Sequence, residues 1–204
     1  MKNILASVGM VLALATPSFA ADWTTILPTF KESVVEIAIG DQGACTGVVI
    51  DNSRDLVLTA AHCDVSSDAV RLIVDNLVAK VRAKDVKNDL MVLQVDGIDR
   101  PALKLAEHNP KVGEEVASFG YGYALERPLF RVTHISAEDV AVERSRYIVV
   151  DASFVSGQSG GPVVNQKGEI VMLVQMGNSF VGMGVGAETI SDKMGRFFTL
   201  PGAK

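Results

Sequence analysis

Several residue types are scarce in this sequence, and each shortage removes a class of function. Its 204 residues include two cysteines, three histidines and one tryptophan, and aromatic residues make up 6%. Two cysteines cannot furnish the four-ligand cage of a structural zinc site without histidines nearby, and only His62 stands close to them in sequence. No metal and no cofactor are therefore expected. Basic residues are in the minority, 19 Lys and Arg against 24 Asp and Glu for a net charge of -5. They are scattered among acids rather than clustered, which argues against a nucleic-acid partner. After residue 20 no apolar run approaches the roughly 20 residues that cross a bilayer, so no stable membrane insertion of the mature chain is expected.

Hydrophobic residues are plentiful, at 48%, enough for one domain or two tightly packed halves around a real core. The first twenty residues read MKNILASVGMVLALATPSFA. One lysine, an apolar run from Ile4 to Ala15 and small residues at Ser18 and Ala20 make a secretory signal cleaved after Ala20. The mature chain would then be 21–204, exported to a periplasm or secreted. Disulfides persist in such compartments, and Cys45 and Cys63 can form one bridge with no thiol left over. Two buried free thiols are the other reading.

A short amphipathic stretch, Trp23 to Glu32, precedes many short runs rich in Val, Ile and Leu and separated by Gly, Asn, Asp and Ser. That spacing predicts an all-β fold. The first set of strands is Val34 to Ile39, Cys45 to Ile50, Leu56 to Thr59, Val70 to Val74, Leu77 to Ala83 and Leu90 to Val95. The second is Val116 to Phe119, Leu129 to His134, Tyr147 to Val150, Gly161 to Asn165, Glu169 to Met176 and Val181 to Ala187. Asp99 to Gly113 holds two prolines and several charges without a period, and reads as a connector between halves at about 33–98 and 114–190. Thr189 to Phe198 is a candidate closing helix.

Two segments carry chemistry. Thr59-Ala60-Ala61-His62-Cys63 follows directly on an apolar run, so His62 stands where a strand ends and can face a cleft. In Asp151-Ala-Ser-Phe-Val-Ser-Gly157-Gln-Ser159-Gly-Gly-Pro162 a serine sits in a glycine-rich loop just before an apolar strand. Glycines there permit positive φ and let backbone N–H groups converge beside the serine, as stabilisation of an acyl-transfer oxyanion requires. GQSGG also fits the nucleophile elbow of α/β-hydrolases, in which the histidine follows the serine. Here His62, His108 and His134 all precede Ser159, so chain order excludes that reading. The acid should lie between His62 and Ser159. Asp89, directly ahead of the apolar run Leu90-Met91-Val92-Leu93, would be drawn inward and need an imidazole partner. Asp85 and Asp75 are the competitors.

TAAHC, NDLMVLQV and GQSGGP, in that order, resemble the three signature segments of trypsin-like serine peptidases over roughly residues 33 to 187. The spacing, 27 residues from His62 to Asp89 and 70 from Asp89 to Ser159, is closer to bacterial HtrA-type proteases than to digestive enzymes. The resemblance implies two six-stranded β-barrels packed together, with Ser159 as nucleophile, His62 as general base and Asp89 orienting it. It implies an oxyanion hole from the N–H groups of Gly157 and Ser159, and polypeptide substrates. It also implies a pocket with Ser153 at its base, Gln175, Met176 and Gly177 along one wall and Gly184 on the other. No acid stands at that base, so a medium or bulky apolar residue is expected before the cut. Cys45 and Cys63 resemble the bridge that digestive enzymes make beside the catalytic histidine, which would contribute on the order of 3 kcal/mol. Only 43 residues follow Gly161, so no PDZ domain is expected. A catalytically silent relative that binds polypeptides in the same cleft is the alternative.

Digestive relatives place an aspartate before the serine, where it pairs with an N-terminus freed by activation cleavage. Gln158 occupies that place here. Protein freed of residues 1–20 should therefore hydrolyse peptide without a further N-terminal cut, checked by assaying it before and after limited digestion with N-terminal sequencing.

Overall fold

The computed structural model describes residues 22–40, 43–65, 72–123, 125–143 and 145–198. The signal segment 1–20 and its cleavage point lie outside them, as do Val70 and Arg71 of the fourth expected strand. Apolar residues occupy both faces of the first strands, β1 (Val34–Ile39), β2 (Ala44–Asp51), β3 (Leu56–Ala60) and β7 (Leu90–Gln94). Because successive side chains leave opposite faces, each strand feeds two cores. Val35, Ile37, Val49, Val57, Met91 and Leu93 fill the inside of the curled first sheet. Val34, Val48, Ile50, Leu58, Leu90 and Val92 face outward into a second cluster shared with the other half of the molecule. Each such side chain contributes about 1.5–3 kcal/mol relative to exposure.

The first half differs in detail from the six-stranded barrel the resemblance implies. With β4 (Leu72–Val74), β5 (Leu77–Val78) and β6 (Lys80–Asp85) it forms a seven-stranded sheet in the order β5-β4-β1-β2-β3-β7-β6. The run expected as one strand, Leu77 to Ala83, breaks at Ala79, and its two pieces pair with β4 and β7 at opposite edges. Lys80, Arg82 and Lys84 on β6 give that edge the charge that discourages further pairing.

The second half closes. β8 (Glu115–Gly120), β9 (Leu129–Val142), β10 (Ser145–Val150), β11 (Pro162–Val164), β12 (Ile170–Gly177) and β13 (Gly182–Gly186) form a barrel in the order β10-β13-β12-β11-β8-β9. Val116, Ile135, Ile148, Val150, Val163 and Val171 fill its interior. β9 runs eight residues past the expected His134, because Ile135–Val142 pairs with β10 in a ribbon whose polar residues hide the strand period. Residues 99–113 contribute one parallel bridge, Leu105 to Ile170.

Two helices complete the fold. α1 (Trp23–Phe30) is capped by the Asp22 carboxylate, which accepts from the Thr24 N–H at 3.1 Å. It lays Trp23 and Phe30 against Phe119 and Phe130 on the outer face of the barrel. α2 (Ala187–Met194) starts two residues before the expected helix and gives way to a 3-10 turn, Gly195–Phe197.

The halves are joined under the loop that precedes β11 by Thr46, which is fully buried. Its hydroxyl donates to the Gly157 carbonyl at 2.8 Å and accepts from the Tyr121 N–H at 2.9 Å. Its own N–H donates to the Ser159 carbonyl at 2.8 Å, and its carbonyl accepts from the Thr59 hydroxyl at 2.8 Å. Thr46→Val keeps the shape but strands a buried carbonyl and a buried N–H. It should lower stability by about 1–3 kcal/mol for each group left unpaired, read as a drop in the urea midpoint that Thr46→Ser does not show.

Candidate active site

Strand register explains why His62 and Asp89, 27 residues apart, meet. β3 and β7 pair antiparallel with Ala60 opposite Leu90, so the end of one strand lies beside the start of the other. His62 sits in the 3-10 turn Ala61–Cys63 that follows β3, and Asp89 in the turn that precedes β7. Asp89 adopts a left-handed φ of 52°, uncommon for a residue with a Cβ. Its carboxylate accepts from the His62 backbone N–H and meets His62 Nδ1, both at 2.7 Å. Its carbonyl accepts from the Ala61 N–H at 3.2 Å. The competitors are committed elsewhere: Asp85 accepts from Asn88 and Asp75 pairs with Arg100.

Cys45 and Cys63 form the expected bridge, closing an 18-residue separation with Cα atoms 6.2 Å apart. It ties β2, one residue before Thr46, to the histidine turn. The two sulfurs and the His62 imidazole lie within 4.8 Å of one another, but sulfurs joined in a disulfide are not thiolate ligands, so this is no metal cage. Cys63 Sγ lies 4.0 Å from the Ser159 carbonyl. An ion pair between Lys84 Nζ and Asp64, at 2.9 Å, anchors the far end of the same turn to β6.

Ser159 is held in the β10–β11 loop by contacts that fix its peptide planes. Gly157 has φ of 98°, and a Cβ there would lie 2.6 Å from the Tyr121 carbonyl oxygen, so only glycine fits. Gly160 has φ of 82° and donates its N–H to the Val174 carbonyl at 2.7 Å. The Ser156 carbonyl accepts from the Tyr123 N–H, and the Gln158 carbonyl from the Gly161 N–H. In a trans peptide the next N–H points the opposite way. The N–H groups of Gly157 and Ser159 therefore point away from those donors, and among the described residues neither meets an acceptor. At the loop's start the Asp151 carboxyl accepts from the His134 N–H at 2.8 Å and from the Thr133 hydroxyl. Those two bonds hold it below the usual carboxylate range.

Gln175 bridges the two parts. Its Nε2 donates to the carbonyls of Asn88 and Asp89 at 2.7 and 3.0 Å, and its own carbonyl accepts from the Ser159 hydroxyl at 3.3 Å. It was expected as a pocket wall, but its side chain is buried against the Asp89 peptide. Gly184 is also displaced from its expected place: it pairs with Val174 inside the barrel wall, packed against the Leu173 carbonyl. The β13 glycine that faces the serine loop is Gly182, opposite Gly177. Ser153 accepts from Arg131 Nη1 through both its carbonyl and its hydroxyl, at 2.6 and 3.2 Å. Met176 is exposed. Sequence reasoning missed Thr46, Arg131 and the bridging part of Gln175, since no local pattern marks a residue whose partners lie well off in the chain, 75 and 111 positions away for Thr46, 86 and 87 for Gln175 and 22 for Arg131.

Known proteins resemble this chain in sequence and fold. A family model described as the trypsin-like peptidase domain matches residues 45–172. A protein named as a DegP-like periplasmic serine endoprotease in Pseudomonas putida is 33% identical over 139 residues, 64% of this chain and 28% of its own length. One named as the serine protease HhoB in Synechocystis is 26% identical over 171 residues, 79% of this chain and 38% of its own. The chain thus spans less than half the length of these relatives. Among solved structures, the serine endoprotease from Yersinia pestis superposes with a TM-score of 0.74 at 21% identity, over 88% of this chain and 67% of that one. The active form of the Rv3671c protease from M. tuberculosis gives 0.72 at 21% identity, over 98% and 97%. The order of the three segments, the two-part β-fold and a family match over more than half of the chain agree: this chain belongs to the trypsin-like peptidase domain family.

Proposed function

We propose that the protein is an exported serine endopeptidase that hydrolyses peptide bonds of polypeptides through an acyl-enzyme on Ser159. The observation that carries this reading is the two-point hold of Asp89 on His62, one carboxylate oxygen on the backbone N–H and the other on Nδ1, both at 2.7 Å. An ionised carboxylate only accepts, so Nδ1 carries the proton and Nε2 keeps a lone pair as general base. Nε2 takes the Ser159 proton as Oγ attacks the scissile carbonyl, then returns it to the leaving amine. The N–H groups of Gly157 and Ser159 receive the oxyanion, an interaction for which loss of one donor costs about 10²–10³-fold in rate. Export rests on the segment 1–20 and on relatives named as periplasmic.

A fluorophosphonate probe tests the nucleophile directly. The mature protein should label and Ser159→Ala should not. Folded parent that stays unlabelled sinks the proposal and leaves peptide binding without hydrolysis in the same cleft. Asp89→Asn should retain the fold, confirmed by circular dichroism, yet lower kcat on the order of 10⁴-fold, because an amide N–H facing Nδ1 imposes the wrong tautomer.

A further inference from the structure

The recess expected to receive the side chain before the scissile bond already holds a side chain of this protein. Gly177 and Gly182 lie directly opposite each other across β12 and β13 and present a bare strip toward the serine loop. Phe154 lies on that strip. A Cβ at Gly182 would run into the Phe154 ring, and one at Gly177 would fall 2.7 Å from the Phe154 backbone nitrogen. The ring is 7% exposed and belongs to the barrel core with Val174, Ala152 and Val150. The sequence alone reads such glycines as room for a ligand. Here they make room for Phe154.

Phe154 is pinned on both sides. Before it, Ser153 is gripped by Arg131 through the carbonyl and the hydroxyl. After it, the Val155 N–H donates to the Gln158 side chain at 3.0 Å and the Val155 carbonyl accepts from the Gln158 N–H at 3.1 Å. Gln158 is itself buried. Withdrawing the ring by moving the loop would break these bonds together and disturb Gly157, whose N–H stands beside the nucleophile.

Resting on the peptidase reading above, we infer that Phe154 is the specificity-determining residue and that the protein cleaves after residues with small side chains: glycine, alanine or serine. This replaces the medium or bulky apolar residue expected from the sequence. An acyl group with its carbon at Ser159 Oγ and its oxygen at the Gly157 and Ser159 N–H groups lies over the gap between the serine loop and β12. Its side chain is then directed toward the strip that the Phe154 ring covers.

The test is a set of fluorogenic peptides identical except for glycine, alanine, serine, valine, leucine or phenylalanine before the cut, assayed on the mature protein and on Phe154→Ala. The parent should show kcat/KM at least tenfold higher for alanine than for leucine or phenylalanine. Phe154→Ala should raise the ratio of phenylalanine to alanine at least tenfold, and Phe154→Val, which keeps more of the core, should admit leucine if the alanine variant does not fold. Fluorophosphonate labelling of each protein reports Ser159 independently of the recess. No labelling of the parent defeats the peptidase reading itself. Labelling with a preference for leucine or phenylalanine, an unchanged ratio in both folded variants, or labelling without cleavage of any peptide overturns the assignment of Phe154 alone.

Discussion

The hydrogen bonds of one buried threonine couple the two halves of this molecule. Thr46 sits on β2 of the curled sheet, yet three of its four bonds go to the barrel half, to Gly157, Ser159 and Tyr121. All four are made where water cannot substitute, so each is costly to leave open. A shift of one sheet against the other would break them in concert. The serine loop thus takes its position from the half of the molecule to which it does not belong.

The same strand reaches the histidine by a covalent route. Cys45, next to Thr46, is bridged to Cys63, next to His62, so β2 governs the serine loop through hydrogen bonds and the histidine turn through a disulfide. Gln175 adds a third connection, from β12 to the Asp89 peptide and the Ser159 hydroxyl. Hydrogen bonds and a disulfide give rigid placement, which the proposed chemistry needs more than it needs strength at any single contact.

Legibility of the fold followed burial. Strands whose faces are both buried, such as β2, β3 and β7, stand out as apolar runs, whereas the far end of β9 carries Glu138 and Asp139 in a solvated ribbon and loses its signal. At the candidate site the motif segments named His62 and Ser159, and chain order set the acid between them. The apolar run that follows Asp89 favoured it over Asp85 and Asp75 without excluding them. In the fold β3 ends beside the start of β7, which presents Asp89 to the histidine turn.

The recess shows the same division. From the sequence it is a glycine-lined slot without an acid at its base; in the fold Phe154 fills the slot, held by Arg131 and Gln158 from outside it. By itself the sequence determined the all-β class and the family segments, because these are written in short apolar runs broken by turn residues and in glycines at fixed offsets from a serine. Which threonine locks the halves together and what occupies the recess were decided only by tertiary structure. Each depends on residues tens of positions apart, and only strand register and barrel closure bring them within hydrogen-bonding or packing distance.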